Sequence, residues 1–239
     1  MYELSNIDSF YARNYPLLRE CLPIVQRHFE DFSMADTEVE IRIGSIENRR
    51  FSNGISLANF ERQLAMLEEY PEWDEKSDWE QHVDYFFMSG GVSVRQRVSQ
   101  SFSGCSAIVK EVQAKTDLQI IFDEVFGVAT DGAIRIQRSR EIPIVVNQAA
   151  VLPTFVRLVQ RKSFLYNGQW RFDLSKVWEG KTFNEADRLK TTAPSNCEIE
   201  IEYIPGKARG YRSAPVFLAV SILLKALDFF PNAVSLNPL

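Results

Sequence analysis

The chain has 239 residues, of which 45% are hydrophobic and 25% charged, with only 11 glycines and 10 prolines. This composition excludes a disordered or fibrous chain, and a globular chain of this length folds without disulfides or a structural metal. The formal net charge of −5 means that the molecule as a whole repels a phosphate backbone, which excludes bulk nucleic-acid binding.

The cysteines and the apolar segments indicate where the protein works. Three widely spaced cysteines without a C-x-x-C pair favour reduced thiols and argue against structural zinc. The first residues form no basic-then-apolar leader, and the longest apolar run, from Pro215 to Leu224, is too short to span a bilayer. We therefore expect a soluble intracellular protein of the cytoplasm or nucleus, with no membrane partner.

Four segments have features of helices. Apolar residues of the first segment form a stripe, and Ser56 fits the N-cap of the second, which ends before Pro71. Thr182 and Glu185 have the spacing of a capping box at the start of the third. The predicted helices cover about residues 1–32, 56–70, 182–189 and 213–230.

Between these helices the sequence alternates with a period of two, which is typical of strands. The predicted strands are Thr37–Gly44, Val83–Met88, Gly91–Gln100, Ala107–Ala114, Ala133–Ile142, Thr154–Leu165, Gln169–Val177 and Cys197–Tyr203. About eight strands suffice for a small closed barrel. No strand–helix–strand rhythm repeats and no linker divides the chain, so we predict a single α+β domain over residues 1–239, a closed eight-stranded antiparallel β-barrel flanked by helices.

Two of these strands place charged residues on a single face. The segment EVEIRIG sends its charged residues to one side, namely Glu38, Glu40 and Arg42. The segment EIEIEY does the same with Glu198, Glu200 and Glu202. Neighbours on one face of a strand lie roughly 7 Å apart, so uninterrupted glutamates repel one another. An ordinary solvated strand face is therefore the less favoured interpretation.

Other strands carry charges of the opposite sign. Arg95 and Arg97 share one strand face, and Arg157 and Arg161 share another. This segregation suits a closed barrel with a hydrophilic interior, in which an acidic wall faces a basic wall. A divalent cation removes the repulsion between carboxylates, and guanidinium groups bind phosphate in a forked geometry. The pattern predicts phosphoryl transfer to water inside the barrel.

The two acidic motifs, the arginine-rich strands and the sequence R-x-D-L-S at residues 171–175 resemble the triphosphate tunnel metalloenzymes. The resemblance is strongest to the metal-dependent RNA 5′-triphosphatases of fungi, protozoa and large DNA viruses, and it covers about residues 37–203. It implies hydrolysis of the γ-phosphate of 5′-triphosphate RNA to a 5′-diphosphate end, the first step of mRNA capping. The implied cofactor is Mg²⁺ or Mn²⁺, and the implied side activity is Mn²⁺-dependent hydrolysis of free nucleoside triphosphates.

The resemblance also implies partners and roles for individual residues. The partners are the 5′-triphosphate end of nascent RNA and a capping guanylyltransferase, in a viral factory if a virus encodes the chain. The metal ligands would be Glu38, Glu40 and Glu202. The residues that act on the attacking water would be Glu141 and Glu200, with Glu198 beside them. The phosphate-binding set would be Arg95, Arg97, Lys110, Arg135, Arg157, Arg161, Arg171, Asp173 and Ser175.

One position departs from the family pattern. The family commonly has a lysine two residues before Arg161, where this chain has Val159. Either Lys110 supplies the missing charge or the assigned register is wrong. Which of Arg95 and Arg97 is the main phosphate ligand stays open.

Two alternative functions are compatible with the same barrel. One is the hydrolysis of inorganic polyphosphate or thiamine triphosphate, which Arg42 disfavours because that branch of the family has lysine there. The other is a non-catalytic interaction module. The two histidines, His28 and His82, have no nucleophile nearby in the sequence, and we expect both at the surface.

Overall fold

A computed structural model describes residues 18–30, 37–99, 105–122, 132–145, 152–204, 214–230 and 233–238. These residues form four helices and eleven strands. The helices are α1 (Leu22–Gln26), α2 (Leu57–Glu69), α3 (Phe183–Thr192) and α4 (Pro215–Leu227). The strands are β1 (Thr37–Glu47), β2 (Arg50–Asn53), β3 (Glu75–Lys76), β4 (Glu80–Ser89), β5 (Val92–Ser99), β6 (Cys105–Phe122), β7 (Gly132–Pro143), β8 (Phe155–Tyr166), β9 (Trp170–Gly180), β10 (Asn196–Tyr203) and β11 (Ala233–Pro238). None of the described helices is long and apolar enough to cross a membrane.

Eight strands close into an antiparallel barrel. Their order is β10-β9-β8-β4-β5-β6-β7-β1, and β1 pairs with β10 to complete the circle. The remaining three strands extend this sheet: β2 pairs with β1, β3 with β8, and β11 with β6. The predicted fold class, a closed eight-stranded antiparallel barrel flanked by helices, is confirmed.

The predicted barrel strands are all present, and their ends differ most in β6. That strand continues to Phe122 instead of ending at Ala114, because β7 and then β11 supply partners for its second half. The strands β2, β3 and β11 were not predicted. The hairpin from β1 to β2 turns at Asn48 and Arg49, which both have positive φ angles of 50° and 61°. That geometry matches the twist of the two strands, although arginine is an uncommon residue for it.

The helix signals of the sequence are confirmed at two N-termini. Ser56 Oγ accepts a hydrogen bond from the backbone N–H of Asn59 at 3.3 Å and begins α2. Thr182 Oγ1 accepts from the N–H of Glu185 at 3.2 Å and begins α3. The predicted first helix is wrong in its extent, because α1 is a single short helix within residues 18–30. The rest of that prediction, residues 1–17 and 31–32, lies outside the described residues.

The apolar core lies outside the barrel, between its wall and the helices α1 and α4. Ile41, Ile134, Leu174 and Ile201 point outward from their strands and are completely buried there against Leu223 and its neighbours. Because side chains alternate along a strand, this outward burial of apolar residues sends the intervening glutamates and arginines inward. The core therefore fixes the register that builds the polar interior.

The expectation of surface histidines is wrong for both. His28 is 2% exposed and its Nε2 lies 2.9 Å from Thr116 Oγ1, while His82 is 7% exposed. His28 follows Cys21 by two helical turns and therefore shares its core-facing side. Cys21 itself donates its thiol hydrogen to the carbonyl of Leu236 at 3.2 Å, so the first and last described segments meet in this core.

Arg138 of β7 connects the end of α1 to the barrel by two hydrogen bonds. Its guanidinium donates to the carbonyl oxygens of Arg27 and Glu30, the latter at 2.7 Å. The helix end leaves these carbonyls without partners inside the helix. Arg140, two residues along β7, is exposed.

We predict that Gly44→Ala destabilises the protein, because an added Cβ at this position of β1 would lie 2.2 Å from the carbonyl oxygen of Ser52 and 2.7 Å from the ring of Phe51. The expected loss in the free energy of unfolding is about 2–3 kcal/mol. The matched control is Gly90→Ala, where the space is open and the φ of +59° costs about 1 kcal/mol. Chemical denaturation measures both, and equal losses would contradict the steric argument.

The burial of His28 predicts a loss of stability in acid. Burial and then the charge of Arg138 lower the pKa of His28 to about 4. In the unfolded chain His28 binds a proton below about pH 6.5, whereas in the folded protein it stays neutral down to about pH 4. The free energy of unfolding therefore decreases as the pH falls from about 6.5 toward 4, by up to about 1.4 kcal/mol per pH unit. Urea denaturation at about pH 7 and pH 5 should show a smaller loss for His28→Gln than for the wild type. Identical losses would show that this histidine titrates normally.

Candidate active site

The barrel encloses a cavity of about 290 Å³ with an almost entirely polar lining. Seven acidic side chains line it: Glu38, Glu40, Asp84, Glu141, Glu198, Glu200 and Glu202. Seven basic side chains face them: Arg42, Arg95, Arg97, Lys110, Arg157, Arg161 and Arg171. Two serines, Ser106 and Ser175, and two apolar residues, Ile108 and Val159, complete the lining. The predicted hydrophilic interior is confirmed.

The pairing of β1 with β10 brings together glutamates that are far apart in the sequence. Glu40 lies directly opposite Glu202, and Arg42 lies opposite Glu200. Arg42 bridges the two strands, since its guanidinium lies 3.0 Å from Glu40 and 3.2 Å from Glu200. The acidic wall is therefore held together by an arginine within it.

Two cations stand among the three glutamates that the resemblance implied as metal ligands. The Nζ of Lys110 contacts Glu38 and lies 3.2 Å from Glu40, and Arg171 forms an ion pair with Glu202. Burial, followed by the neighbouring carboxylates, raises the pKa of Glu202 to about 8. Burial likewise raises the pKa of Glu40, with Glu200 and Glu38 adding to the effect. The pKa values of Glu40 and Glu202 are therefore raised even with Lys110 and Arg171 in place, so additional positive charge would favour their ionised forms.

This donor set fits a hard divalent cation. Carboxylate oxygens are the ligands that Mg²⁺ and Mn²⁺ prefer, and a dication would supply the charge that Glu40 and Glu202 lack. Among the described residues, no three His, Cys, Asp or Glu side chains converge into a ready-made metal cluster. Lys110 and Arg171 occupy carboxylate oxygens of these glutamates, so a metal would have to displace one or both cations.

The glutamates predicted to act on water are each held by an arginine. Glu200 lies between Arg42 and Arg161, and although burial opposes its ionisation, these two cations hold its pKa well below the usual range. Glu141 accepts a hydrogen bond from Arg95 at 3.0 Å. Both carboxylates are therefore oriented by arginines as hydrogen-bond acceptors for water, and Glu200 is in addition held in its ionised form.

Of the three glutamates on β10, Glu198 accepts the most hydrogen bonds. Both of its carboxylate oxygens accept from Arg157 Nη2 at 2.7 Å, and Asn196 donates to it at 3.1 Å. The side chain is only 5% exposed. Its geometry suits the anchoring of Arg157 better than contact with a water molecule.

The basic wall is formed by β5, β6 and β8, with β4 between β5 and β8. Arg97 donates to both oxygens of Asp84, at 2.7 and 2.8 Å, whereas Arg95 has a single bond to Glu141. Arg161 donates to Asp173 at 2.8 Å and to Ser175 at 3.2 Å. Each cation of the lining thus has an acidic partner, and Arg95 has the freer guanidinium of its strand.

Asp173 lies behind the lining and organises it. It is 2% exposed and accepts hydrogen bonds from Arg161, Arg171 and Ser163 at 2.7–3.0 Å. Three donors around one carboxylate fix the positions of two cavity arginines. Lys162 points outward and pairs with Glu68 of α2, as its place in the strand predicts.

The structure does not bring Arg135 to the cavity with the other predicted residues. Its guanidinium donates to both oxygens of Asp117, at 2.7 and 2.9 Å, and lies 4.4 Å from the centre of the Phe51 ring. It has the inward parity of β7, but Phe51 and Asp117 engage it at the end of the strand nearest β2. Arg135 is therefore absent from the cavity lining of the described residues, and its phosphate-binding role stays a prediction.

Two residues of the cavity lining, Arg42 and Asp84, were missing from the predicted site, and so was His82, which lies beside the lining. Arg42 shares the strand face of Glu38 and Glu40, and that alternation was a sufficient signal. Asp84 and His82 alternate along β4 in the same way, but two single polar residues of different types gave no motif. Their importance depends on which strands lie beside β4, which the sequence does not reveal.

The fold is similar to that of solved RNA triphosphatases. The S. pombe Pct1 RNA triphosphatase aligns with 91% of this chain and 93% of its own, with a TM-score of 0.64 and 17% identity. Pct1 in complex with the Spt5 CTD aligns with 91% of this chain and 92% of its own, with a TM-score of 0.62 and 17% identity. The Mimivirus capping enzyme triphosphatase covers 89% of this chain and 97% of its own, with a TM-score of 0.57 and 17% identity.

No protein-family model and no curated protein matches the sequence. The likeness to solved structures, at 17% identity, concerns the fold. It agrees with the resemblance noted in the two acidic motifs, and with the closed barrel and its charged interior. The protein has the triphosphate tunnel fold, which it shares with the RNA triphosphatases of S. pombe and Mimivirus.

Proposed function

We propose that the protein is a metal-dependent RNA 5′-triphosphatase that converts a 5′-triphosphate end to a 5′-diphosphate end, the first step of mRNA capping. The observation that carries this proposal is the cavity in which seven acids face seven bases inside a closed barrel. Such a lining suits a polyanion that also binds a metal. Both similar solved proteins are described as triphosphatases of RNA or of a capping enzyme.

Glu38, Glu40 and Glu202 would hold the metal. Bound there, Mg²⁺ or Mn²⁺ would neutralise the carboxylates and withdraw charge from the terminal phosphate. The displaced Lys110 would then lie beside the metal site, free to bind a phosphate oxygen. This exchange gives Lys110 the role left open by the apolar Val159.

The basic wall would bind the triphosphate along its length. Arg95 has only one hydrogen bond to give up, so we assign it as the first phosphate ligand of its strand. Arg161 is fixed by Asp173 and Ser175 and needs no reorganisation to present its remaining N–H groups. Fixed donors of this kind stabilise the charge that develops during phosphoryl transfer.

The attacking water would be oriented by Glu141 and Glu200. Both are acceptors, and the pKa of Glu200 is held low by Arg42 and Arg161, so it stays ionised at neutral pH. Their arginine partners fix the direction of each carboxylate. The partner proposed for the product is a capping guanylyltransferase, which would act on the diphosphate end.

The activity is tested by the release of labelled γ-phosphate from 5′-triphosphate RNA with and without Mn²⁺ or Mg²⁺. Release is expected only with metal, and the RNA should keep its diphosphate end. Parallel reactions with ATP, inorganic tripolyphosphate and thiamine triphosphate rank the substrates. A strong preference for tripolyphosphate or thiamine triphosphate would replace RNA as the substrate, and no release from any of them would favour a non-catalytic module.

We predict that Glu38→Gln and Glu202→Gln each lower metal-dependent phosphate release by about 100-fold or more, because each removes a charged oxygen ligand. The matched control is Glu111→Gln, since Glu111 lies beside Lys110 on β6 but points outward and is exposed. The variants are compared by phosphate release over a range of Mn²⁺ concentrations. Wild-type activity of Glu38→Gln at every concentration would remove the metal-site assignment.

A further inference from the structure

His82 is an interior residue that the proposed reaction leaves without a role. It lies on β4 directly opposite Val159 of β8, one of two apolar residues in the cavity lining. Residues two apart on a strand share a face, so His82 has the inward parity of Asp84, and Val159 that of Arg157 and Arg161. The imidazole therefore lies beside the basic wall but outside the lining of the main cavity, and His82 also borders a small pocket with Asp187 and Lys190 of α3.

The Nε2 atom of His82 is buried and has no hydrogen-bond partner within the described residues. The nearest oppositely charged atom is Asp84 Oδ2 at 3.8 Å, which is too far for a hydrogen bond. Buried nitrogen atoms are rarely left without a partner, because their lost hydration is not replaced. Since a small side-chain movement would bring Nε2 of His82 within hydrogen-bond distance of Asp84, we infer that these two residues can adopt a second, hydrogen-bonded arrangement.

The charges around His82 keep it neutral in the free protein. Burial, and then the positive charge of Arg97, lower its pKa to about 3, with Arg161 and Arg95 adding to the effect. Asp84 acts in the opposite direction but is already neutralised by Arg97. Whether His82 is neutral or protonated therefore depends on whether the guanidinium of Arg97 is bound to Asp84.

Arg97 cannot serve Asp84 and a phosphate fully at the same time. Both oxygens of Asp84 are occupied by the Nε and Nη2 of Arg97, and Asp84 is 2% exposed. If Arg97 turns toward a bound triphosphate, it leaves behind a buried carboxylate without a cation. Such a group is strongly destabilising unless another donor replaces the lost partner.

We propose that His82 is a positioning residue that becomes protonated and pairs through Nε2 with Asp84 when Arg97 turns to the triphosphate. This inference rests on the proposed function, since it requires a polyphosphate in the cavity. One proton passes from solvent to the imidazole, and no covalent bond changes. Triphosphate binding would thus be coupled to the uptake of one proton by His82. The ion pair between His82 and Asp84 would strengthen binding at low pH, and this gain in affinity would be lost as the pH rises through the pKa that His82 has in the complex.

The test is the ionisation of His82, observed by NMR in protein with ¹³C-labelled histidine. The chain has only two histidines, so His28→Gln assigns both ring signals. At about pH 6 the free ring of His82 should be neutral. Inorganic tripolyphosphate, added to saturation without metal so that it is not turned over, should shift this ring to the charged form, with a midpoint at or above its ordinary value of about 6.5. The ring of His28 is the internal control and should not change.

The outcomes separate the inference from the function on which it rests. Tripolyphosphate that binds while His82 stays neutral would overturn the proton uptake and leave the proposed function standing. Failure of tripolyphosphate to bind the metal-free cavity would overturn this inference, whereas the proposed function is decided separately by phosphate release from 5′-triphosphate RNA with metal. Asp84→Asn identifies the partner: His82 should then stay neutral with ligand bound, whereas full protonation in this variant would show that it pairs with a phosphate and not with Asp84.

Discussion

The structure depends on how the repulsion between the carboxylates of β1 and β10 is compensated, because closure of the barrel brings them together. Pairing of β1 with β10 places Glu40, which is only 3% exposed, directly opposite Glu202. Buried like charges are tolerated only when cations stand among them. Arg42, Lys110 and Arg171 provide those cations in the free protein, and their positions explain why the lining contains equal numbers of acids and bases.

A fully paired lining changes how ligand binding has to be understood. Every cation of the described lining has an acidic partner, so a phosphate is bound either by the remaining N–H groups of a held arginine, as at Arg161, or by exchanging one ion pair for another. The exchange is easiest where a cation has a single partner, as Arg95 has, and hardest where a carboxylate is held at both oxygens, as Asp84 is. The selectivity of the cavity for polyphosphates therefore depends on the acids as much as on the arginines.

The strand pattern of the sequence was sufficient to predict the barrel and most of its lining, because alternation determines which side chains share a face. It was not sufficient where the result depends on which strands are neighbours. Arg135 has inward parity, yet Asp117 and Phe51 engage it at the end of the barrel. His82 gave no signal because its neighbours Val159 and Asp84 are adjacent only in space. The short strand β11 was missed because its pairing with β6 is the main evidence that it is a strand.

The pairing of β1 with β10, which closes the barrel, also determines how long an edge of the sheet stays open during synthesis. In chain order β1 is the first barrel strand and β10 is the last, so an emerging chain presents the edge of β1 long before its partner exists. That edge carries unpaired backbone groups beside Val39 and Ile41, which are fully buried only in the finished fold. Open edges of this kind pair readily with other chains, and long-range strand pairing is slow. A chain that ends before residue 196 lacks β10 and therefore leaves the β1 edge of an open sheet exposed to pairing with other chains.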